Sequence, residues 1–169
     1  NLRIPLARWF NMKITPHRAF GYVVYKNTWE LGEAHQYNYP EGRMWWNLFT
    51  AGSMINNKFS DGTSLPDYHA GDWTGPSDAG KYGICNQTPV DCEMWCVSAE
   101  DNNNYLPDCE KWELASGSSV TLPVGTKLMF VKGSITLNGK TIDNPTQIKV
   151  VTADATVVAS EQCYGIKFL

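Results

Sequence analysis

Residues 114–169 constrain this chain more than any other stretch, because short β-branched runs alternate there with turn chemistry at spacings of about eight to twelve residues. Val120-Thr121-Leu122 alternates apolar and polar side chains, as a strand with one buried face must. Pro123-Val124-Gly125 follows, where Pro presets φ and Gly accepts positive φ. A second strand is predicted over 127–131 and is broken by Lys132-Gly133. Residues 134–137 and Lys140–Ile142 flank Asn138-Gly139. Both residues of that pair tolerate the positive φ of a type I′ turn, so a hairpin is predicted. Beyond Asn144-Pro145, three more strands are predicted over 147–151, 156–159 and 164–168. Short strands at this spacing build a sandwich or a barrel. The same stretch holds no His, no Ser-His-Asp set and no metal-ligand spacing.

The preceding residues are less regular. Residues 1–20 form a basic arm interrupted by Pro5 and Pro16, too broken for a long helix. A strand is predicted over 20–29. A short helix is predicted within 41–54, since Met44, Leu48 and Met54 share a spacing. Residues 56–86 are dense in Gly, Asp, Asn, Ser and Pro and read as a long loop, a kind of segment that is usually functional or laid against a partner. Residues 93–99 return to strand. This divides the chain into an arm (1–20), a strand-and-loop region (21–110) and a β region (111–169), the last two expected to pack as one domain. A length of 169 residues suits that division.

Charge excludes some functions. With 14 Lys and Arg against 17 Asp and Glu, a net charge of −3 argues against a dedicated nucleic-acid binder. No window approaches the ~20 apolar residues of a membrane span, so no membrane insertion is expected. No secretory signal is visible. The charge is uneven, however. Arg3, Arg8, Lys13, Arg18 and Lys26 precede the first acid, Glu30, giving residues 1–29 a charge of +5. From Asp61 to Glu113, eleven acids face Lys81 and Lys111, a net of −9. A basic arm docking on the acidic segment of a neighbouring copy fits this asymmetry, and complementarity of that kind sets register. Removing residues 1–20 is then expected to weaken assembly and leave the monomer folded.

Five cysteines, Cys85, Cys92, Cys96, Cys109 and Cys163, make an odd count. Four lie within 85–109, without paired C-x2-C knuckles and without a His among them. Buried reduced thiols are the main reading. A local disulfide from Cys85 or Cys92 to Cys109 and a zinc site stand as alternatives. His17, His35 and His69 are far apart and lack the spacing of a metal motif. They read as surface or packing residues, and the alternative of acid–base work falls to His69, near Asp67 and Asp72. Asp61, Asp67, Asp72, Asp78 and Asp91 lack EF-hand spacing and read as turn formers rather than calcium ligands. Tyr37, Tyr39, Trp45, Trp46, Tyr68 and Trp73 lie among Asn, Asp and Gly. They suit either interface and core packing or a sugar-stacking face. Asn86-Gln87-Thr88 is a glycosylation sequon followed by Pro89.

Residues 116–168 resemble the second half of a cupin-type jelly roll. The run Leu-Pro-Val-Gly-Thr-Lys-Leu-Met-Phe-Val-Lys-Gly-Ser-Ile-Thr-Leu-Asn-Gly-Lys-Thr-Ile is similar to the turn, strand, glycine, strand and Asn-Gly hairpin of small cupin barrels. The resemblance implies a mainly β fold, an antiparallel jelly-roll or cupin-like barrel, here with a basic N-terminal arm and long loops. Metal-using cupins carry a His-x-His and a following acid, which this chain lacks, so their metal and their activities are not implied. A metal-free jelly roll with a basic arm and Trp-rich loops resembles the decoration, cement, fibre and tail proteins of tailed bacteriophages. That resemblance implies a non-enzymatic virion component without cofactor, assembled in the bacterial host cytoplasm. It would associate with itself, as a homotrimer, and with other virion proteins. Trp9, Phe10, Trp45 and Trp46 are the expected interface anchors, and Arg3, Arg8 and Arg18 the charged clamps. Two alternatives stand beside it. One is a glycan-binding module that recognises a host surface glycan through Tyr68 and Trp73. The other is a metal-free cupin-like enzyme.

Overall fold

A computed structural model describes residues 15–29, 35–38, 44–59, 62–78, 84–99, 108–150 and 152–169. The chain divides into two compact units, Asn1–Leu106 and Pro107–Leu169. Every strand pairing in both is antiparallel.

The first unit is one seven-stranded sheet. Its strands are β1 (Thr15–Ala19), β2 (Tyr22–Trp29), β3 (His35–Asn38), β4 (Met44–Phe59), β5 (Tyr68–His69), β6 (Trp73–Asp78) and β7 (Ile84–Ala99). Their order is β1-β2-β7-β4-β5, with β3 also on β7 and β6 also on β4. The 16-residue strands β4 and β7 form the spine. Trp45, Asn47 and Phe49 lie opposite Ser98, Cys96 and Met94, while Trp46 and Leu48 lie opposite Val97 and Trp95. Side chains alternate along a strand, so these pairs belong to opposite faces. Both faces are buried: Phe49, Met94 and Cys96 on one, Leu48, Trp95 and Val97 on the other.

Three expectations are corrected here. The helix within 41–54 is the strand β4. Its Met44–Leu48 spacing of four is even and fits a period of two as well, and its Trp, Phe and Thr residues favour strands. The long loop over 56–86 contains β5 and β6, which edge β4 opposite Ser53–Met54 and Met44–Leu48. The arm ends in β1, whose register Thr15↔Lys26 to Ala19↔Tyr22 turns at Phe20-Gly21. Residues 1–14 lie outside the described residues.

Register shifts between Phe49, Ala51 and Ser53 bend the spine. Gly52 (φ +61°) and Asp91 (φ +45°) mark the bend from the two strands. A Cβ on Gly52 would collide with the carbonyl oxygens of Val90 and Asp91. Only glycine lets the backbones approach so closely.

The second unit has two four-stranded sheets. One holds β13 (Thr146–Lys149), β10 (Lys127–Lys132), β15 (Cys163–Phe168) and β8 (Cys109–Leu114), in that order. The other holds β12 (Lys140–Ile142), β11 (Ile135–Leu137), β14 (Ala155–Ala159) and β9 (Ser119–Leu122). The predicted hairpin is β11–β12, with Asn138 and Gly139 at φ +48° and +80°. Leu114, Leu128, Phe130, Ile148 and Cys163 of the first sheet pack in one buried cluster with Leu122, Ile135, Ala155, Val157 and Ala159 of the second. Each large apolar side chain so buried contributes about 1.5–3 kcal/mol.

Candidate functional site

The two residues named for glycan stacking, Tyr68 and Trp73, fall on the short strands β5 and β6 that edge β4. Tyr68 lies opposite Met54 and stacks on Phe49 with ring centroids 4.9 Å apart and planes 15° apart. It packs against the cluster of Phe49, Met54, Cys92 and Met94. Trp73 lies opposite Leu48, on the other face of the sheet. Both rings are half-buried. A single sugar ring cannot stack on Tyr68 and Trp73 together, so the pair expected to bind a glycan is not brought into one platform.

His69 sits on the Trp73 side, its Nδ1 3.1 Å from Ser53 Oγ. Asp72 does not orient that ring. Its Oδ2 accepts the backbone N–H of His69 at 2.8 Å. Asp67 Oδ1 likewise accepts the N–H of Asn56 at 3.0 Å. These carboxylates shape the turn, as Asp beside Gly commonly does, and the Ser-His pair has no acid relay.

Of the expected interface residues, Arg3, Arg8, Trp9 and Phe10 lie outside the described residues. Arg18 is exposed on β1. Trp45 and Trp46 are 5% and 4% exposed and point to opposite faces of β4. Trp45 packs with Cys96 and Tyr25, and Trp46 meets Tyr22 edge-on at 6.0 Å. Their apolar area is already used inside the chain, which leaves no indole surface for a neighbour. Side chains packed on each face of β4 within the first unit cover the two rings.

Sequence reasoning also passed over Trp95, the largest fully buried side chain. The ring of His17 is 5.9 Å from it, and Lys26 Nζ is 5.9 Å from its centroid. Lys26 pairs with Glu93 at 3.3 Å, and Thr50 Oγ1 donates to Glu93 Oε1 at 2.7 Å. The signal was the continuous apolar run Met94-Trp95-Cys96-Val97, the pattern of a strand buried on both faces, with Trp95 on the face of Val97.

Cys92, Cys96, Cys109 and Cys163 are buried thiols outside any disulfide. Burial, and then the neighbouring Glu93, push the Cys92 thiol up to about 12. Burial, with Asp108 and Glu110, raises Cys109. Burial also raises Cys163, although its Sγ donates to the Glu161 carbonyl at 3.0 Å. Thiols held protonated are poor nucleophiles and poor metal ligands. Among the described residues, no three His, Cys, Asp or Glu side chains gather where they could hold a metal ion.

No family model matches this sequence, and no curated protein matches it. Solved structures do. The chain is similar to HutD from Pseudomonas fluorescens (TM-score 0.59, 12% identity, covering 90% of this chain and 84% of that one). It is similar to a protein of unknown function from Pseudomonas aeruginosa (TM-score 0.56, 13% identity, 88% and 81% covered). It is also similar to quercetin 2,3-dioxygenase from Acinetobacter baumannii (TM-score 0.53, 11% identity, 88% and 74% covered). Identities this low speak for the fold alone, an antiparallel all-β jelly roll of cupin-like type. No likeness to a phage protein emerges.

Proposed function

We propose that this chain is a non-enzymatic structural component of a tailed-phage virion, assembling with itself and with other virion proteins through its N-terminal arm and loops. One observation carries the non-enzymatic part. The sandwich of the second unit is filled by Leu, Ile, Val, Ala, Phe and Cys from both of its sheets, and the buried polar side chain among its described residues, Thr126, is used within a turn, donating to the Pro123 carbonyl. Binding sites are concave and place a few polar groups among apolar walls; this interior is packed like a body that must only be rigid. The buried, protonated thiols and the unrelayed Ser53–His69 pair agree with that reading. The +5 arm and the −9 segment support assembly between copies, in which opposite surfaces meet and a cyclic arrangement such as a trimer closes the contacts. No cofactor is needed. Mass spectrometry of purified particles from the bacterial host that produces the chain tests the setting. The chain is expected in a fixed copy number that survives high-salt washing. Finding it only among soluble proteins of the lysate would overturn the virion assignment.

A further inference from the structure

The two sheets of the second unit end in β13 and β8, and in β12 and β9. An edge strand shows unpaired backbone groups to any passing strand, and proteins guard such edges with charge, Pro, bulges or brevity. β13 carries Lys149, β8 carries Glu110, Lys111 and Glu113, and β12 carries Lys140. At an edge of the first unit's sheet, β1 carries Pro16 and Arg18. β9 reads Ser119-Val120-Thr121-Leu122, without charge or Pro and in unbroken register with β14. Brevity is the guard that remains to it.

Two hydrogen bonds fix which groups of β9 face outward. The Thr156 carbonyl accepts the N–H of Asn138 at 2.9 Å, so the backbone of Thr156 turns toward β11. Thr121, opposite Thr156 on the other side, is then in a non-hydrogen-bonded pair, and its N–H and C=O point away from β14. Ala159 N–H donates to the Ser118 carbonyl at 2.9 Å, which sets the same alternation: Ser118 and Val120 turn to β14, Ser119 and Thr121 to the open side. Among the described residues β9 pairs with β14 alone. The side chains of Ser119 and Thr121 are exposed, while Val120 is half-buried against the aliphatic cluster.

The chemistry of this edge is symmetric about Val120, with a hydroxyl residue on either side. A second copy turned about a two-fold axis at Val120 sets Ser119 opposite Thr121 of that copy, and Thr121 opposite its Ser119. Both are hydrogen-bonded pairs, and the two Val120 side chains meet on the core-facing side. A two-fold contact needs a self-complementary surface. Here no charge meets its like, and Ser–Thr is a favourable cross-strand pair. We propose that β9 pairs antiparallel with β9 of a second copy, joining two four-stranded sheets into one continuous sheet. The proposal rests on the assembling role proposed above and adds a contact to that of the arm. Four residues at ~3.4 Å each make an edge of about 14 Å, too little to bury the ~1,000 Å² of a stable interface. The contact therefore lies between closed oligomers rather than within one. It joins copies already held near one another, where the effective concentration is high.

The test uses the full chain carrying Val120→Cys. Across the axis its two thiols fall in a non-hydrogen-bonded pair, with Cα atoms about 4.5 Å apart, within disulfide reach. The concentrated protein is oxidised, and the product is read by intact mass and peptide mapping. Expected is a dimer linked 120 to 120, formed about tenfold faster than the dimer of Thr156→Cys, whose exposed position lies one strand in from the edge. Adding Thr121→Pro removes an outward N–H, leaves the bonds to β14 in place, and is expected to abolish the link. In the wild-type chain, whose folding no variant affects, the Ser119 and Thr121 amides are expected to exchange with deuterium freely when dilute and more slowly when concentrated. No 120-to-120 link, or equal linking of both cysteine variants, overturns the proposal. So does protection of the two amides in dilute protein, which would mean that the edge is covered within one copy. A trimer without the link removes this contact and leaves the arm; the link in a chain that sediments as a monomer keeps this contact and removes the arm.

Discussion

The two units bury their apolar side chains in different ways. The first unit uses two 16-residue strands, bent by bulges, and fills both faces with aromatic and sulfur-bearing residues such as Trp45, Trp46, Trp95, Phe49, Met54 and Met94. The second uses strands of three to six residues joined by tight turns and an aliphatic sandwich around Phe130. In the second unit each strand is bounded by its own turn residues, so local chemistry sets register. In the first, register depends on pairing across most of the unit, and no short stretch announces it. Among the described residues, the buried polar side chains Asn27, Thr50, Asn57 and Ser98 lie in the first unit, and Thr126 alone in the second.

The largest expected effect tests the sandwich. Phe130→Ala removes a fully buried ring from the middle of the cluster and is expected to cost roughly 3–5 kcal/mol, read from urea unfolding. A loss below about 1 kcal/mol would mean that the cluster is not close-packed.

Next come two glycines that separate the units' logic. Gly52→Ala must carry a side chain at φ +61° and displace the Val90 and Asp91 carbonyls, at an expected cost of about 3 kcal/mol. Gly139→Ala sits at φ +80° with nothing within 4 Å and is expected to cost about 1 kcal/mol. Equal costs in chemical denaturation would show that the bulge is no tighter than a hairpin turn.

A smaller effect concerns the thiols. Cys92 titrates near 12 when folded against an ordinary 9.0, so the unfolded chain releases this proton first as pH rises. The stability linked to it is whole below pH 9 and lost progressively towards pH 12. Cys109 and Cys163, also raised, act in the same direction. Thermal melts across that range are expected to fall. At pH 8, Cys92, Cys109 and Cys163 are expected to ignore a thiol reagent until denaturant is added. Prompt reaction of Cys92 in the native protein would contradict its burial.

The smallest effect is at the surface of the first unit. Lys26→Met breaks the pair with Glu93, but the Lys26 side chain is 42% exposed, so a cost under about 1 kcal/mol is expected in the same unfolding assay.

Turn residues made the second unit legible. Asn138-Gly139, Pro123-Val124-Gly125 and Lys132-Gly133 bracket strands within a residue or two of where they form. The first unit was legible only at β2 and at the end of β7. Over 41–54, helical and strand periods coincide at a spacing of four, and only the pairing with β6 and β7 decides between them. Trp73 and Tyr68 read alike in sequence. Their separation onto opposite faces follows from the backbone excursion at Ala70-Gly71, where Gly71 N–H donates to the Phe49 carbonyl at 2.7 Å. The burial of Trp46 and Trp95 was equally hidden, since it depends on surroundings built from several strands.

Assembly through the arm is most directly measured by the native mass of the full chain beside one lacking residues 1–14. That cut spares β1, which removal of residues 1–20 would take from the sheet. The full chain is expected to sediment as a closed oligomer, a trimer, and the shortened chain as a folded monomer with an unchanged β-sheet circular dichroism spectrum. A full chain that stays monomeric at every concentration, or a shortened chain that keeps the full oligomer, would contradict the account.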